Sequence, residues 1–284
     1  MKKAVVAAAA LVSLAAIGSA GAADMALKAP TPVPIYDWTG FYVGASWGTR
    51  LSDADWTTTC LLPGVAACPT ALPNRLNFQN SVPLNSNGAR WGGYAGYNWQ
   101  YQNMLLGAEV DGAWVDSSAF VKGIPGAEDP GVPGSPGLDT ARIRTTWDAG
   151  VRGRLGWIVT GNVLLYGTAG ASWIHVESSA TCGTAFPVGW CAGFGPFLGT
   201  TQTISTTRVG WTAGGGMEVM VTPNWLARAE YRFANYGTFS STLFGGFNGS
   251  VVNGDAFSFD TKLTTQTALI GVAYKFGGPV VARY

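Results

Sequence analysis

Three groups of residues in this sequence have the types that carry chemistry. The first is a set of charges at alternate positions within apolar runs: Arg90, Glu109, Asp111, Asp148, Arg152, Arg154, Glu218, Arg228, Glu230, Arg232 and Lys275. Both signs occur in nearly equal number. Isolated charges in a narrow, poorly hydrated interior are costly, so opposite charges there should pair and fill the space. The alternative is a ladder of charges lining a narrow, gated ion path.

The second group is His175, the only histidine, with Ser172 and Ser178 near it. Ser172 lies three residues away, so on an extended strand the two side chains face opposite ways, a poor geometry for a nucleophile and its base. No Gly-x-Ser-x-Gly elbow is present, and no catalytic residue is assigned. The third group is Cys60, Cys68, Cys182 and Cys191. In an exported chain they read as disulfides, with three pairings open. The spacing favours Cys60 with Cys68 and Cys182 with Cys191, each closing a short loop within one connection. Metal binding is the weaker alternative, because one histidine and no tight Cys-x-x-Cys pair offer little of the usual ligand spacing. No cofactor is expected.

The elements that position these residues begin with an address. Lys2 and Lys3 precede an uncharged run from Ala4 to Ile17 and a stretch of small residues, the pattern of a bacterial secretory signal peptide. The run is too short to span a bilayer as a helix. Ala20 and Ala22 satisfy the small-x-small rule for cleavage after Ala22, with Ala23 a close second, so residues 1–22 are expected to be removed. Residues 23–37 contain Pro30, Pro32 and Pro34 and read as an extended periplasmic tether.

Charged residues make up only 12% of the chain, against 40 glycines and 12 tryptophans. That is about half the charge of a soluble domain, and a lipid-facing surface fits it. The mature chain has no apolar run approaching a helical span. In hydrocarbon the remaining structure that satisfies every backbone N–H and C=O is a closed β-barrel. The net charge of +1 suggests no nucleic-acid partner.

Period-two alternation then marks eight strands. Phe41, Val43, Ala45 and Trp47 share one face of the first, with Gly40, Tyr42, Gly44 and Ser46 on the other. The second turns Trp91, Gly93, Ala95, Tyr97 and Trp99 outward and Arg90, Tyr94, Asn98 and Gln100 inward. In the third, Met104 to Trp114, Leu106, Ala108, Val110 and Trp114 face lipid while Glu109 and Asp111 face inward. The fourth, 144–159, separates Trp147, Ala149, Val151, Leu155 and Trp157 from Asp148, Arg152 and Arg154. The fifth, 163–177, has apolar residues at both parities, and its faces stay open. The sixth, 207–221, places Glu218 inward; the seventh, from Trp225, places Arg228, Glu230 and Arg232 inward; the eighth, 264–276, places Lys275 inward.

Three tight turns, at 101–103, 160–162 and 222–224, alternate with long polar connections at 48–89, 115–143, 178–206 and 237–263. That asymmetry is the one outer-membrane barrels show, with short periplasmic turns and long external loops. The expected architecture is therefore an all-β, eight-stranded antiparallel up-and-down transmembrane barrel over 38–276, with a short periplasmic tail at 277–284. A soluble sandwich or lipocalin-like barrel also alternates, but it would put several Trp and Tyr per strand in the core and leave few charges outside. The second loop carries GIPGAEDPGVPGSPGLD, with Gly131, Gly134 and Gly137 at collagen-like spacing; so few triplets sustain no triple helix and imply a stiff, exposed loop.

The runs DWTGFYVGASWG at 37–48, NWQYQNMLLGAEVDGAW at 98–114 and GVAYKFGG at 271–278 resemble the alphaproteobacterial outer-membrane immunogenic or porin-family surface proteins. The resemblance implies an OmpA-like barrel in the outer membrane, recognised through its loops, without a catalytic residue. Its implied partners are outer-membrane lipid and lipopolysaccharide, host or environmental ligands of the loops, and the barrel-assembly machinery, which would read Tyr274 and Phe276. The chain departs from that pattern by continuing past Phe276 to Tyr284, a second candidate for the assembly signal. The function that follows is a surface barrel with a structural and interaction role, its lumen plugged by paired charges; the alternatives are a small-solute or ion channel and, remotely, a lipid-modifying enzyme.

Peptide mapping under non-reducing conditions checks the cysteine reading: Cys60–Cys68 and Cys182–Cys191 peptides are expected. Each bond should restrict the open chain by at most about 3 kcal/mol in the loop-entropy picture, too little to govern membrane insertion. A Cys60–Cys182 or Cys60–Cys191 peptide would refute the pairing.

Overall fold

A computed structural model of the chain describes residues 36–61, 81–125, 139–181, 199–244 and 257–277. The strands are β1 (Gly40–Leu61), β2 (Ser81–Tyr101), β3 (Met104–Lys122), β4 (Thr140–Thr160), β5 (Val163–Thr181), β6 (Thr201–Met220), β7 (Trp225–Leu243) and β8 (Phe257–Lys275). Each pairs antiparallel with its sequence neighbours, and β1 pairs with β8 to close the ring. Closure gives every ladder edge in the lipid zone a partner, which hydrocarbon requires.

The faces follow the alternation. Trp47 and Trp99 are 62% and 68% exposed on the outside, whereas Tyr42 and Leu105, one residue from outward positions, are fully buried inside. A soluble barrel would invert this arrangement. Trp47, Trp91, Trp114 and Trp147 stand side by side in register across β1 to β4, and Trp91 and Trp114 stack with centroids 5.1 Å apart. Trp99, Tyr101, Trp157, Trp225, Tyr274 and Phe276 mark the opposite rim. Trp91 and Tyr101 are about ten residues apart on β2, the ~9–11 residues a tilted strand needs to cross the hydrocarbon.

The strands run well past the Trp rim, into the connections expected at 48–89, 115–143, 178–206 and 237–263. There the outward residues become polar, as in Ser81, Asn85 and Asn87 of β2 and Thr201, Thr203 and Ser205 of β6. Outside lipid the apolar half of the alternation is not needed, so the signal used to bound the strands fades while the ladder continues.

The two faces of strand β5 are distinct in the barrel. Leu164, Tyr166, Thr168, Ser172, Ile174 and Val176 point inward, and Leu165, Ala169, Ala171 and Trp173 point outward. Its apolar residues occupy both parities because its inward face lines apolar layers of the interior. In β4 a bulge between Thr145 and Asp148 exchanges parity, so Ala141, Ile143 and Thr145 face inward above it and Asp148, Arg152 and Arg154 below it.

One seam differs from the others. β6 and β7 pair only from Trp211↔Asn235 to Met220↔Leu226. Beyond a bulge at Asn235/Thr238, where Gly237 has φ +71°, β7 continues with β8 alone. The Arg208 guanidinium of β6, 4.3 Å over the Phe239 ring of β7, spans the gap. Arg208 faces inward, which the sequence reading did not single out.

The topology is checked with epitope tags. Tags at Asn103, Gly161 or Asn224 should be silent on intact cells and detected after the outer membrane is permeabilised, while tags in the four long connections should bind antibody on intact cells. Surface labelling at Gly161 would invert the barrel.

Candidate functional site

Inward side chains fill the barrel in three layers. Nearest the tight turns, Trp38, Tyr42, Leu105, Ile158, Leu164, Met220 and Leu226 form an apolar floor. Trp38 Nε1 donates to the Gly161 carbonyl at 3.1 Å, fixing the segment before β1 across that end. At the far end a second apolar cluster includes Trp56, Ile143, Ile174, Val176, Phe239, Leu243, Phe257 and Phe259; Trp56 and Phe259 stack with centroids 3.7 Å apart.

Between them lies a belt of ions. Glu109 on β3 is reached by Arg152 Nη2 at 2.8 Å and Arg228 Nη1 at 2.8 Å, with Arg154 and Arg232 each at 3.7 Å. The Tyr42 hydroxyl also donates to it, at 2.8 Å. Asp111 accepts from Arg90 at 2.6 Å, Arg152 at 2.7 Å and Arg232 at 2.8 Å. Asp148 is held by Arg50 and Arg90, each at 2.7 Å. Arg154 donates to Glu218 at 2.7 Å and to the Tyr42 hydroxyl at 2.6 Å. Glu230 takes Arg232 and the Tyr166 hydroxyl. Arg228 and Arg154 also sit over the Tyr94 and Tyr166 rings, at 3.8 and 4.2 Å.

Two of these pairs are ladder neighbours, Glu109↔Arg152 and Glu218↔Arg228. Arg232–Glu230 lies within β7 and Arg90–Asp111 joins neighbouring strands, while Arg232–Asp111, Arg228–Glu109 and Arg50–Asp148 reach across the lumen, where inward glycines make the room. A Cβ on Gly96 would come within 2.4 Å of the Tyr42 hydroxyl, and one on Gly44 within 2.5 Å of the Tyr94 ring. Those glycines let the rings that orient Glu109 and Arg228 lie flat against the wall.

The structure thus joins ten of the eleven expected interior charges in one network and separates Lys275. That residue is inward and buried, but at the floor, where Nζ donates to the Thr39 carbonyl at 3.4 Å. The sequence reading missed Arg50, placed there in the first loop. The parity of Tyr42, Gly44, Ser46 and Gly48 continues to it, and that was the available signal.

Ser172 and His175 do fall on opposite faces. Ser172 hydrogen-bonds the Tyr236 hydroxyl at 2.8 Å inside, and His175 stacks on Trp147 outside, 5.6 Å between centroids. Tyr274 and Phe276 are outward and pack edge to face at 5.2 Å. Cys60 lies on β1 opposite Ser258 in the ladder. Its side chain, with Cys68, Cys182, Cys191, Ala22, Tyr284 and Gly131 to Gly137, lies outside the described residues. On the outer collar beyond the Trp rim, a hydrogen bond from Arg144 at 2.9 Å holds the Asp116 carboxyl below the usual carboxylate range.

A closed eight-stranded ring with an aromatic-banded apolar exterior and a charged, filled interior defines a transmembrane β-barrel. The chain belongs to the outer membrane protein beta-barrel domain family, whose model matches residues 8–276, and its place is the bacterial outer membrane. It is 30% identical to the 31 kDa outer-membrane immunogenic protein of Brucella melitensis over 94% of this chain and 98% of that one. It is 24% identical to the 25 kDa outer-membrane immunogenic protein of Brucella abortus over 97% and 99%. Among solved structures, the outer membrane protein OprG of Pseudomonas aeruginosa superposes with TM-score 0.51 at 13% identity, covering 87% of this chain and all of that one. The resemblance read from the three sequence runs is borne out.

The belt makes a quantitative expectation. Glu109→Ala removes a carboxylate shared by four arginines and should lower the urea-unfolding free energy of the refolded barrel by about 3–5 kcal/mol, the cost of orphaning a buried partner. Asp116→Ala, on the exposed collar, should change it little. Equal effects for the two would contradict the belt's burial.

Proposed function

We propose that this barrel is sealed rather than porous, and that its role is structural and interactive: it contributes to envelope integrity and presents its external loops as a surface antigen and adhesion element. The observation that carries this reading is the stack of three filled layers. A ring of eight strands is just wide enough for side chains to fill it. Here Trp38, the ion belt and the Trp56–Phe259 stack close it in succession.

The mature chain in this reading starts after Ala22, with disulfides in the first and third loops. The outward aromatics embed in lipid and lipopolysaccharide, and the assembly machinery reads Tyr274 and Phe276. The two Brucella relatives are named as immunogenic outer-membrane proteins, which supports a surface role. No step of chemistry is assigned, because Ser172 and His175 lie on opposite faces of β5.

Recording from the purified, refolded barrel in planar bilayers tests the seal. No steady conductance is expected from the wild type, and brief openings should become more frequent in Glu109→Ala, where water enters to solvate the orphaned guanidiniums. A large, steady wild-type conductance, unchanged in Glu109→Ala and Asp111→Ala, would replace the seal with a porin.

A further inference from the structure

The ion belt does not balance. Among the described residues its connected network contains six guanidiniums, those of Arg50, Arg90, Arg152, Arg154, Arg228 and Arg232, and five carboxylates, those of Glu109, Asp111, Asp148, Glu218 and Glu230. Arginine does not lose its proton in proteins, so the imbalance is a fixed positive charge. All eleven side chains are nearly or fully buried. An uncompensated charge in such surroundings is among the most costly features a fold can carry.

The surplus has a location. Arg50 meets a single carboxylate, Asp148, and Asp148 is also held by Arg90. Beside this end of the belt lies a cavity of about 20 Å³ lined by Arg50, Arg90, Arg152 and Arg232, with Ser172 and Tyr236 among the hydroxyls. That is room for one water-sized particle. Asp111 and Asp148 also line it, but each of their oxygens already accepts at least one arginine N–H, which draws their negative charge away from the space. Arg50 and Arg152, two residues of the cavity wall, each keep a buried Nε with no hydrogen-bond acceptor among the described residues, as do Arg154 and Arg228 deeper in the belt.

We infer that this cavity is a binding site for one small monovalent inorganic anion of halide size, coordinated by the arginines around Arg50. One negative charge cancels the surplus, and one particle fills the space. A halide accepts N–H donors from every side without needing a directed lone pair, which suits donors arriving from β1, β2, β4 and β7. Sulfate and hydrogen phosphate carry two charges and would overshoot the single surplus. Water fits the space but leaves the charge. The inference rests on the proposed seal only in that a closed belt holds the ion; an anion bound in a barrel that conducts would refute the seal and keep the site.

The test uses the whole refolded barrel. Urea unfolding is followed in sodium chloride and in sodium gluconate at matched ionic strength, and crystals grown in bromide are examined for anomalous scattering. A saturable stabilisation by chloride is expected, the unfolding constant falling roughly tenfold when chloride exceeds its dissociation constant about tenfold. A single bromide peak is expected in the cavity. Arg50→Met removes the surplus charge while Asp148 keeps Arg90, so this variant should fold and lose both the chloride dependence and the bromide peak. Equal unfolding in the two salts with no bromide peak in the cavity would overturn the site. So would a chloride effect that persists undiminished in Arg50→Met, or a peak confined to the surface. Should Arg50→Met fail to fold, the wild-type bromide map alone decides.

Discussion

Glu109 sits within 4 Å of four guanidinium groups and accepts the Tyr42 hydroxyl, and the interior is arranged around that carboxylate. A transmembrane ring must turn its apolar residues outward, so the polar halves of its strands converge on a space with little water. Charges placed there lose their hydration and recover it only from one another. Arginine is the cation that suits such a space, because its planar fork donates to two carboxylates at once, as Arg90 does to Asp111 and Asp148 and Arg152 does to Glu109 and Asp111. The same fork lies flat on tyrosine rings, which lets Tyr94 and Tyr166 act as walls of the belt.

The apolar layers follow from the belt's sensitivity to water. Ion pairs are strong where solvent is excluded and weaken where it enters. In the proposed seal, the floor around Trp38 and Leu105 keeps water out at the tight-turn end and the Trp56–Phe259 layer keeps it out at the far end. The ladder beyond the lipid-facing aromatic rim thus extends the closed interior past the membrane surface, where the upper layer is housed. Along the β6–β7 seam, where the backbone ladder does not continue, Arg208 over Phe239 and a hydrogen bond from Phe244 N to Gln202 Oε1 link the two sides.

Most of the barrel was legible because membrane strands obey a rule with period two. Trp91 to Trp99 and Leu106 to Trp114 could be assigned to lipid, and Glu109, Asp111, Asp148 and Arg228 to the interior, without any structure. The rule failed where its physical cause was absent. β5 faces the apolar layers on its inner side, so Ile174 and Val176 carried no contrast with Trp173. Beyond the Trp rim there is no lipid to demand apolar residues, so Arg50 was lost with the distal half of β1. Lys275 shared the parity of the network but not its depth, and parity alone contains no depth. The partners that reach across the lumen, such as Arg232 with Asp111, depend on strand tilt and side-chain length and have no signature in sequence spacing.

The central claim is that the interior is held by mutual compensation among buried charges, and a double-mutant cycle on Arg154 and Glu218 tests it most directly. The two side chains meet at 2.7 Å and both are fully buried. Urea unfolding is measured for the wild type, Arg154→Met, Glu218→Gln and the double variant. Compensation predicts that each single substitution costs more than the pair together, with a coupling of about 2 kcal/mol or more. Costs that simply add, with no coupling between the sites, would contradict it.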